Sequence, residues 1–229
     1  MIAALIFDVD GTLAETEEYH RRAFNAAFVE CGLGWNWDGP LYRRLLKVTG
    51  GKERILAYAD TLAPADRAGI AERVGDIHRR KTALYTAAVS TGAVPLRPGM
   101  TDLIAGARAA GIACAIATTT TFDNVVALMA ATLGSGWREQ FPVVAAGDMV
   151  TRKKPAPDVY HLALAELDLP AGACLAIEDS RNGVEAARAA GLAVAAVHSA
   201  YAADDDLSGA TAVFPDSSAI TLSALRALV

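Results

Sequence analysis

Five short, unbroken apolar runs, at residues 3–7, 112–117, 143–146, 174–177 and 193–197, constrain this chain more than any other feature. A strand with one wet face alternates apolar and polar residues, whereas a run without polar residues belongs to a strand covered on both faces. Helical patterns lie between the later runs. The order predicts an α/β fold: a doubly wound parallel sheet with right-handed crossovers and helices on both sides. Ligands of such sheets collect beyond the carboxyl ends of the strands. Here the runs stop at Asp8, Thr118, Gly147 and Glu178-Asp179, all polar or small.

A stretch of about ninety residues separates the first two runs, too long for one crossover helix. Tyr19, Ala23, Phe24, Ala27, Phe28 and Cys31 recur at helical spacing, as do Ile70, Val74, Ile77, Leu84 and Tyr85. The spacing predicts at least two amphipathic helices in an all-α cap domain at 15–93, inserted into a core domain formed by 1–14 and 94–229. Segments 14–16 and 91–98, the latter with Gly92, Pro95 and Pro98, are the expected hinges. A cap placed there could open to admit a ligand and close to expel water.

Acidic residues number 26 against 21 basic, a formal charge of −5, which argues against a nucleic-acid-coating surface. A small phosphorylated ligand stays compatible, because a few placed donors and cations hold a phosphate. Cys31, Cys114 and Cys174 are too scattered for a disulfide framework or a thiolate zinc site, and they read as reduced. Residues 1–7 lack a basic leader region, and no apolar run reaches the roughly 18 residues of a membrane span. A soluble, cytoplasmic protein is expected, monomeric and without nucleic-acid or membrane partners.

Asp8 and Asp10 stand one residue apart just past the first run, so a bend there aims both carboxylates into one crevice. Two acids so close repel unless positive charge lies beside them, which a divalent cation and Lys154 would supply. Alone, Asp-x-Asp-Gly reads equally as a turn whose aspartates bond local amides. A P-loop is excluded, since Gly51-Lys52 is followed by Glu53, and no G-x-G-x-x-G opens a helix. The four histidines show no metal-ligand spacing. His161 and His198 read as structural, and His20 and His78, in the insert, read as packed or solvated side chains that could also face a ligand.

Context decides the first motif. Phe7-Asp8-Val9-Asp10-Gly11-Thr12-Leu13 resembles the first signature of the haloacid dehalogenase superfamily, most of whose members are phosphatases or phosphomutases. Thr118 resembles the second signature, Lys154 within Lys153-Lys154-Pro155-Ala156-Pro157-Asp158 the third, and Glu178-Asp179-Ser180 with Gly183 the fourth. The four stand in order over nearly the whole chain, and the insert falls where that superfamily places its cap. The resemblance implies a magnesium-dependent phosphohydrolase. Asp8 would attack phosphorus and form an acyl-phosphate, and Asp10 would protonate the leaving oxygen and then deprotonate water. Thr118 and Lys154 would stabilise the phosphoryl oxygens. The implied Mg2+ ligands are the Asp8 side chain, the Asp10 carbonyl and Asp179, with Glu178 behind them.

Specificity should come from the insert. Gly50 and Gly51 permit close backbone approach, and Lys52 and Arg54 supply cations, which suits a second phosphate or sugar hydroxyls as well as a plain helix-helix turn. Residues 13–17, 20–25, 35–38, 49–55 and 78–81 resemble the CbbY family, in the branch that also holds β-phosphoglucomutase. That resemblance implies hydrolysis of xylulose 1,5-bisphosphate to xylulose 5-phosphate, with Glu17, Gly50, Gly51, Lys52, Glu53, Arg54, His78, Lys81, Thr118, Thr119 and Thr120 joining Asp8 and Lys154 as substrate contacts. The alternatives are a phosphomutase using the same residues and a broad-specificity sugar phosphatase. A non-enzymatic relative would be expected to lack Asp8, Asp10 or Lys154, and all three are present.

Overall fold

Each apolar run forms a strand whose ends fall within one residue of the sequence reading, in a computed structural model that describes residues 1–228. β1 (Ala4–Phe7) is followed by five helices: α1 (Glu17–Glu30), α2 (Gly39–Leu45), α3 (Gly51–Ala59), α4 (Pro64–Arg67) and α5 (Ile70–Val89). The chain continues with α6 (Met100–Ala109), β2 (Ala113–Ala117), α7 (Phe122–Leu133), α8 (Trp137–Gln140) and β3 (Val143–Ala145). It ends with α9 (Asp158–Leu167), β4 (Cys174–Glu178), α10 (Arg181–Ala189), β5 (Ala193–Val197), β6 (Ala212–Phe214) and α11 (Leu222–Arg226). The sheet order is β3-β2-β1-β4-β5-β6, and every pair is parallel.

The strands read as unbroken apolar runs because both faces are covered. Leu5, Phe7, Cys114, Ile116, Leu175 and Ile177 point into a core shared with α6, α7 and α11. The alternate positions Ala4, Ile6, Ala115, Ala117, Cys174 and Ala176 face α9 and α10, which answer with Ala163, Ala186 and Ala187. Small residues on both sides let these helices approach the sheet closely. The three cysteines are free, with Cys114 and Cys174 buried.

Helices α1, α2, α3 and α5, with Trp37 of the loop before α2, carry a separate apolar cluster of Phe24, Phe28, Trp37, Tyr42, Leu45, Ile55, Ala59, Ile70 and Ile77. The Trp37 ring lies 4.8 Å from both Phe24 and Phe28, and burying each such side chain contributes about 1.5–3 kcal/mol. Two linkers join this helical insert to the sheet. They meet where Ala14 bridges Leu96, and the Arg97 amide donates to the Leu13 carbonyl (2.8 Å). No helix of the described residues is long and apolar enough to cross a membrane.

Candidate active site

The strand order reverses direction at β1, where the next strand in sequence, β2, pairs on one side and β4, from the later half of the chain, pairs on the other. Register then does the placing. Phe7 pairs with Ile116 of β2 and with Ile177 of β4, so the next residue, Asp8, emerges beside Ala117 and Glu178. β4 runs one residue further than its apolar run and carries Glu178, fully buried, into the crevice. Gly11, at φ +84°, lets the chain turn back across Asp179, whose carboxylate occupies the space a Cβ would need.

Lys154 closes this group. Its ammonium donates to Asp8 Oδ1 (2.7 Å), Glu178 Oε1 (2.6 Å) and the Ala117 carbonyl (2.9 Å), which uses all three N–H donors. Those partners hold the buried lysine well above its ordinary pKa against the cost of burial. Tyr160 of α9 also donates to Glu178 Oε1, and Lys154 lies over its ring, 5.0 Å from the centroid.

One lysine does not balance the acids around it. Burial, with the charges of Glu178 and Asp10, pushes Asp8 up to about 7 despite Lys154, and burial with Asp8 and Glu178 holds Asp179 well above the ordinary carboxylate range. Oxygens of Asp8, Glu178 and Asp179 lie within 4.8 Å of one another, a buried all-oxygen set that could hold a metal ion. Glu178 Oε2 is buried without a hydrogen-bond partner among the described residues. A hard divalent cation fits both the charge deficit and the donor type.

Asp10 is held from the other side. Thr16 caps α1, yet its hydroxyl makes no capping bond and donates to Asp10 Oδ1 instead. His20, one helical turn on, donates from Nε2 to the same oxygen (3.0 Å) and accepts at Nδ1 from Lys81 of α5 (2.6 Å). Burial and Lys81 lower the pKa of His20, so its imidazole is neutral, and it stacks on Tyr85 with 3.8 Å between centroids. Burial opposes the charge on Asp10, but His20, Thr16 and Lys81 prevail and hold it down at about 2. Both contacts fall on Oδ1, which leaves Oδ2 for chemistry.

A cleft of about 1440 Å³ lies between the strand ends and the insert. Asp8, Asp10, Lys154 and Asp179 form its floor, with Glu17, Gly50, Gly51, Lys52, Glu53, Arg54, His78, Lys81, Thr119 and Thr120 in its walls. Contacts cross it: the Thr49 hydroxyl donates to the Lys154 carbonyl, and Asn182 Nδ2 donates to the Lys47 carbonyl (3.4 Å).

Comparison with known proteins decides the family. A family model described as haloacid dehalogenase-like hydrolase matches residues 2–191. The chain belongs to the haloacid dehalogenase-like hydrolase family. It is a phosphoric monoester hydrolase. Its sequence is 50% identical over 229 residues to protein CbbY of Rhodobacter capsulatus, covering 99% of both chains. The structure of CbbY from Rhodobacter sphaeroides in complex with phosphate superposes with a TM-score of 0.91 at 47% identity, covering 99% of this chain and 100% of that one. The D10N variant of that protein in complex with xylulose-(1,5)bisphosphate gives a TM-score of 0.90 at 47% identity, covering 98% and 99%.

Within this family frame, the structure brings the four signatures to one place but assigns some side chains differently from the sequence reading. Thr118 is buried, its hydroxyl accepts the Thr120 amide (3.3 Å), and the cleft wall itself is formed by Thr119 and Thr120. The space that Gly50 and Gly51 leave open is filled by the Glu53 carboxylate and the His78 ring, so the glycines accommodate the insert's own side chains. Arg54 is buried, and it donates to the Leu45 carbonyl (3.2 Å) and the Tyr42 hydroxyl (3.2 Å); Tyr42 in turn donates to Glu17 (2.7 Å). Arg54 therefore braces the wall that presents Glu17. Glu178, placed behind the ligands by the resemblance, lies among the oxygens of the acidic cluster.

Sequence reasoning missed Thr16 and Tyr160 and read His20 as a packed or solvated side chain that could also face a ligand. His20 is packed, yet it is also the contact that holds Asp10. One signal was available: His20 sits on the buried stripe of α1, three and four residues before Ala23 and Phe24, where an imidazole needs a partner.

Proposed function

We propose that this chain is a magnesium-dependent sugar-phosphate phosphatase acting through an aspartyl-phosphate on Asp8, with xylulose 1,5-bisphosphate as substrate and xylulose 5-phosphate and phosphate as products. The observation that carries the reading is the Asp8 carboxylate, buried at the strand switch, paired with Lys154 and set beside Glu178, Asp179 and Asp10. The substrate assignment draws on the near-full-length similarity to CbbY, one structure of which holds that bisphosphate.

In this reading an Asp8 oxygen attacks phosphorus while Asp10 delivers a proton to the departing sugar oxygen. An anionic substrate beside Asp10 raises its affinity for that proton. Once the sugar has left, Asp10 returns to the ionised form its surroundings favour and takes a proton from the water that cleaves the acyl-phosphate. Lys154 acts by its charge on the nucleophile, since its donors are already engaged. The amide of Thr119 and the hydroxyl of Thr120 meet the phosphoryl oxygens, with Thr118 behind them holding the Thr120 amide. Asp8, Asp179, Glu178 and the Asp10 carbonyl would hold Mg2+, which supplies electrostatic stabilisation of phosphoryl charge. The insert, 15–93, is the cap over a core of 1–14 and 94–229. Its wall residues Glu17, Gly50, Gly51, Lys52, Glu53, Arg54, His78 and Lys81 shape the sugar end of the cleft.

A panel of sugar mono- and bisphosphates, assayed for released phosphate with magnesium and with chelator, tests the reading. The expected result is a preference for xylulose 1,5-bisphosphate that chelator abolishes. Net isomerisation without free phosphate would make the protein a phosphomutase, and equal turnover across the panel a broad sugar phosphatase.

A further inference from the structure

Glu178 has two carboxylate oxygens in unlike surroundings. Oε1 accepts from Lys154 (2.6 Å) and from the Tyr160 hydroxyl. Oε2 has no hydrogen-bond partner among the described residues, and the Glu178 carboxylate fills the space a Cβ on Gly183 would need. Tyr160 is fully buried, and its hydroxyl donates to Glu178 Oε1. Its ring lies beneath the Lys154 ammonium.

We propose that Tyr160 is a positioning residue that pins Glu178 Oε1 to Lys154 and thereby reserves Oε2 for a divalent cation. A carboxylate free to rotate could offer both oxygens to the lysine or exchange them. The two donors on Oε1 fix its orientation, and hydrogen bonds behind metal ligands set affinity in this manner. The aromatic ring adds a second constraint, because its face lies 5.0 Å from the Lys154 ammonium and the cation–π contact favours the ammonium staying there. Tyr160 touches neither substrate nor reacting atoms, so its effect passes through Glu178.

The inference rests on the metal-dependent reading above, and the test separates the two. Mg2+ binding is measured by isothermal titration on the full-length protein without substrate, for the wild type, Tyr160→Phe, Glu178→Gln and the double variant. Tyr160→Phe keeps the ring and removes only the hydroxyl. It should weaken Mg2+ binding by about ten-fold or more and lower kcat while KM changes little. In the Glu178→Gln background the same substitution should change Mg2+ affinity less than two-fold, since the carboxylate it orients is gone. Wild-type affinity in Tyr160→Phe, or equal losses in both backgrounds, would overturn the role of Tyr160 while leaving the metal reading intact. A wild-type protein that binds no Mg2+ would overturn both. Should Tyr160→Phe fold poorly, the double-variant comparison is repeated with Tyr160→Met, where the same dependence on Glu178 is required.

Discussion

His20 Nε2 stands 3.0 Å from Asp10 Oδ1, the same oxygen that receives the Thr16 hydroxyl, while its Nδ1 faces Lys81 at 2.6 Å. The carboxylate to which the proposed mechanism gives the proton is therefore held by the insert although it belongs to the loop after β1. Any displacement of α1 relative to the sheet displaces that carboxylate too. This ties the arrangement of the helical insert to the competence of the site.

His20→Ala removes the contact to the Asp10 carboxylate and leaves Asp8, Lys154 and Asp179 in place. Its expected effect is a fall in kcat on the order of 10- to 100-fold, with KM nearly unchanged, because proton transfer depends on a positioned carboxyl. Steady-state kinetics check it. A change confined to KM would make His20 a substrate contact.

Lys81 gives a pH dependence with a definite sign. Burial, with Arg54, lowers its pKa from 10.5 to about 7 against the attraction of Asp10 and Glu17. Between those values the unfolded chain holds a proton that the folded one does not, so stability rises with pH through that window. Below about 7 both states are protonated and the cost of the buried charge is complete. Lys81→Met removes this term. The stability of the variant relative to wild type should be greatest below pH 7 and decline by up to about 5 kcal/mol by pH 10.5. Urea unfolding of both proteins across pH 6–10 measures the difference, and a constant offset would contradict it.

Arg54 separates a brace from a ligand contact. Arg54→Lys keeps the charge but loses the planar fork that spans the Leu45 and Val48 carbonyls and the Tyr42 hydroxyl. It should cost about 1–3 kcal/mol of stability by leaving buried acceptors without donors, as read from denaturant midpoints. Unaltered stability with a raised KM would assign Arg54 to the substrate alone.

Much of this was legible in the sequence, for physical reasons that also explain the gaps. The central strands announced themselves because a strand covered on both faces has no polar position. β6 did not, because unlike β3, the equally short strand at the other edge, it is not buried on both faces: Val213 is 47% exposed. Asp8, Asp10 and Asp179 stood out as acids just past strand ends, which converge at a fixed place in a doubly wound sheet, and the resemblance to the superfamily signatures added Lys154 and the roles of all four. Tyr160 and Thr16 did not stand out, since each acts through a partner brought near only by tertiary packing: Glu178 on a neighbouring strand, and Asp10 across the turn that starts α1. The Gly50-Gly51 pair lines the cleft, as the sequence implied. Close approach was the correct inference, but the approaching groups are Glu53 and His78.

The central claim is covalent attack by Asp8, and trapping the intermediate tests it most directly. Enzyme mixed with Mg2+ and xylulose 1,5-bisphosphate is quenched during turnover and treated with borohydride, which reduces an acyl-phosphate to an alcohol. Peptide mass spectrometry should then find homoserine at position 8, absent without substrate and absent in an inactive but folded Asp8→Asn variant. Phosphate release at full rate with no modification at position 8, or with the modification on another carboxylate, would contradict the assignment of Asp8 as the nucleophile.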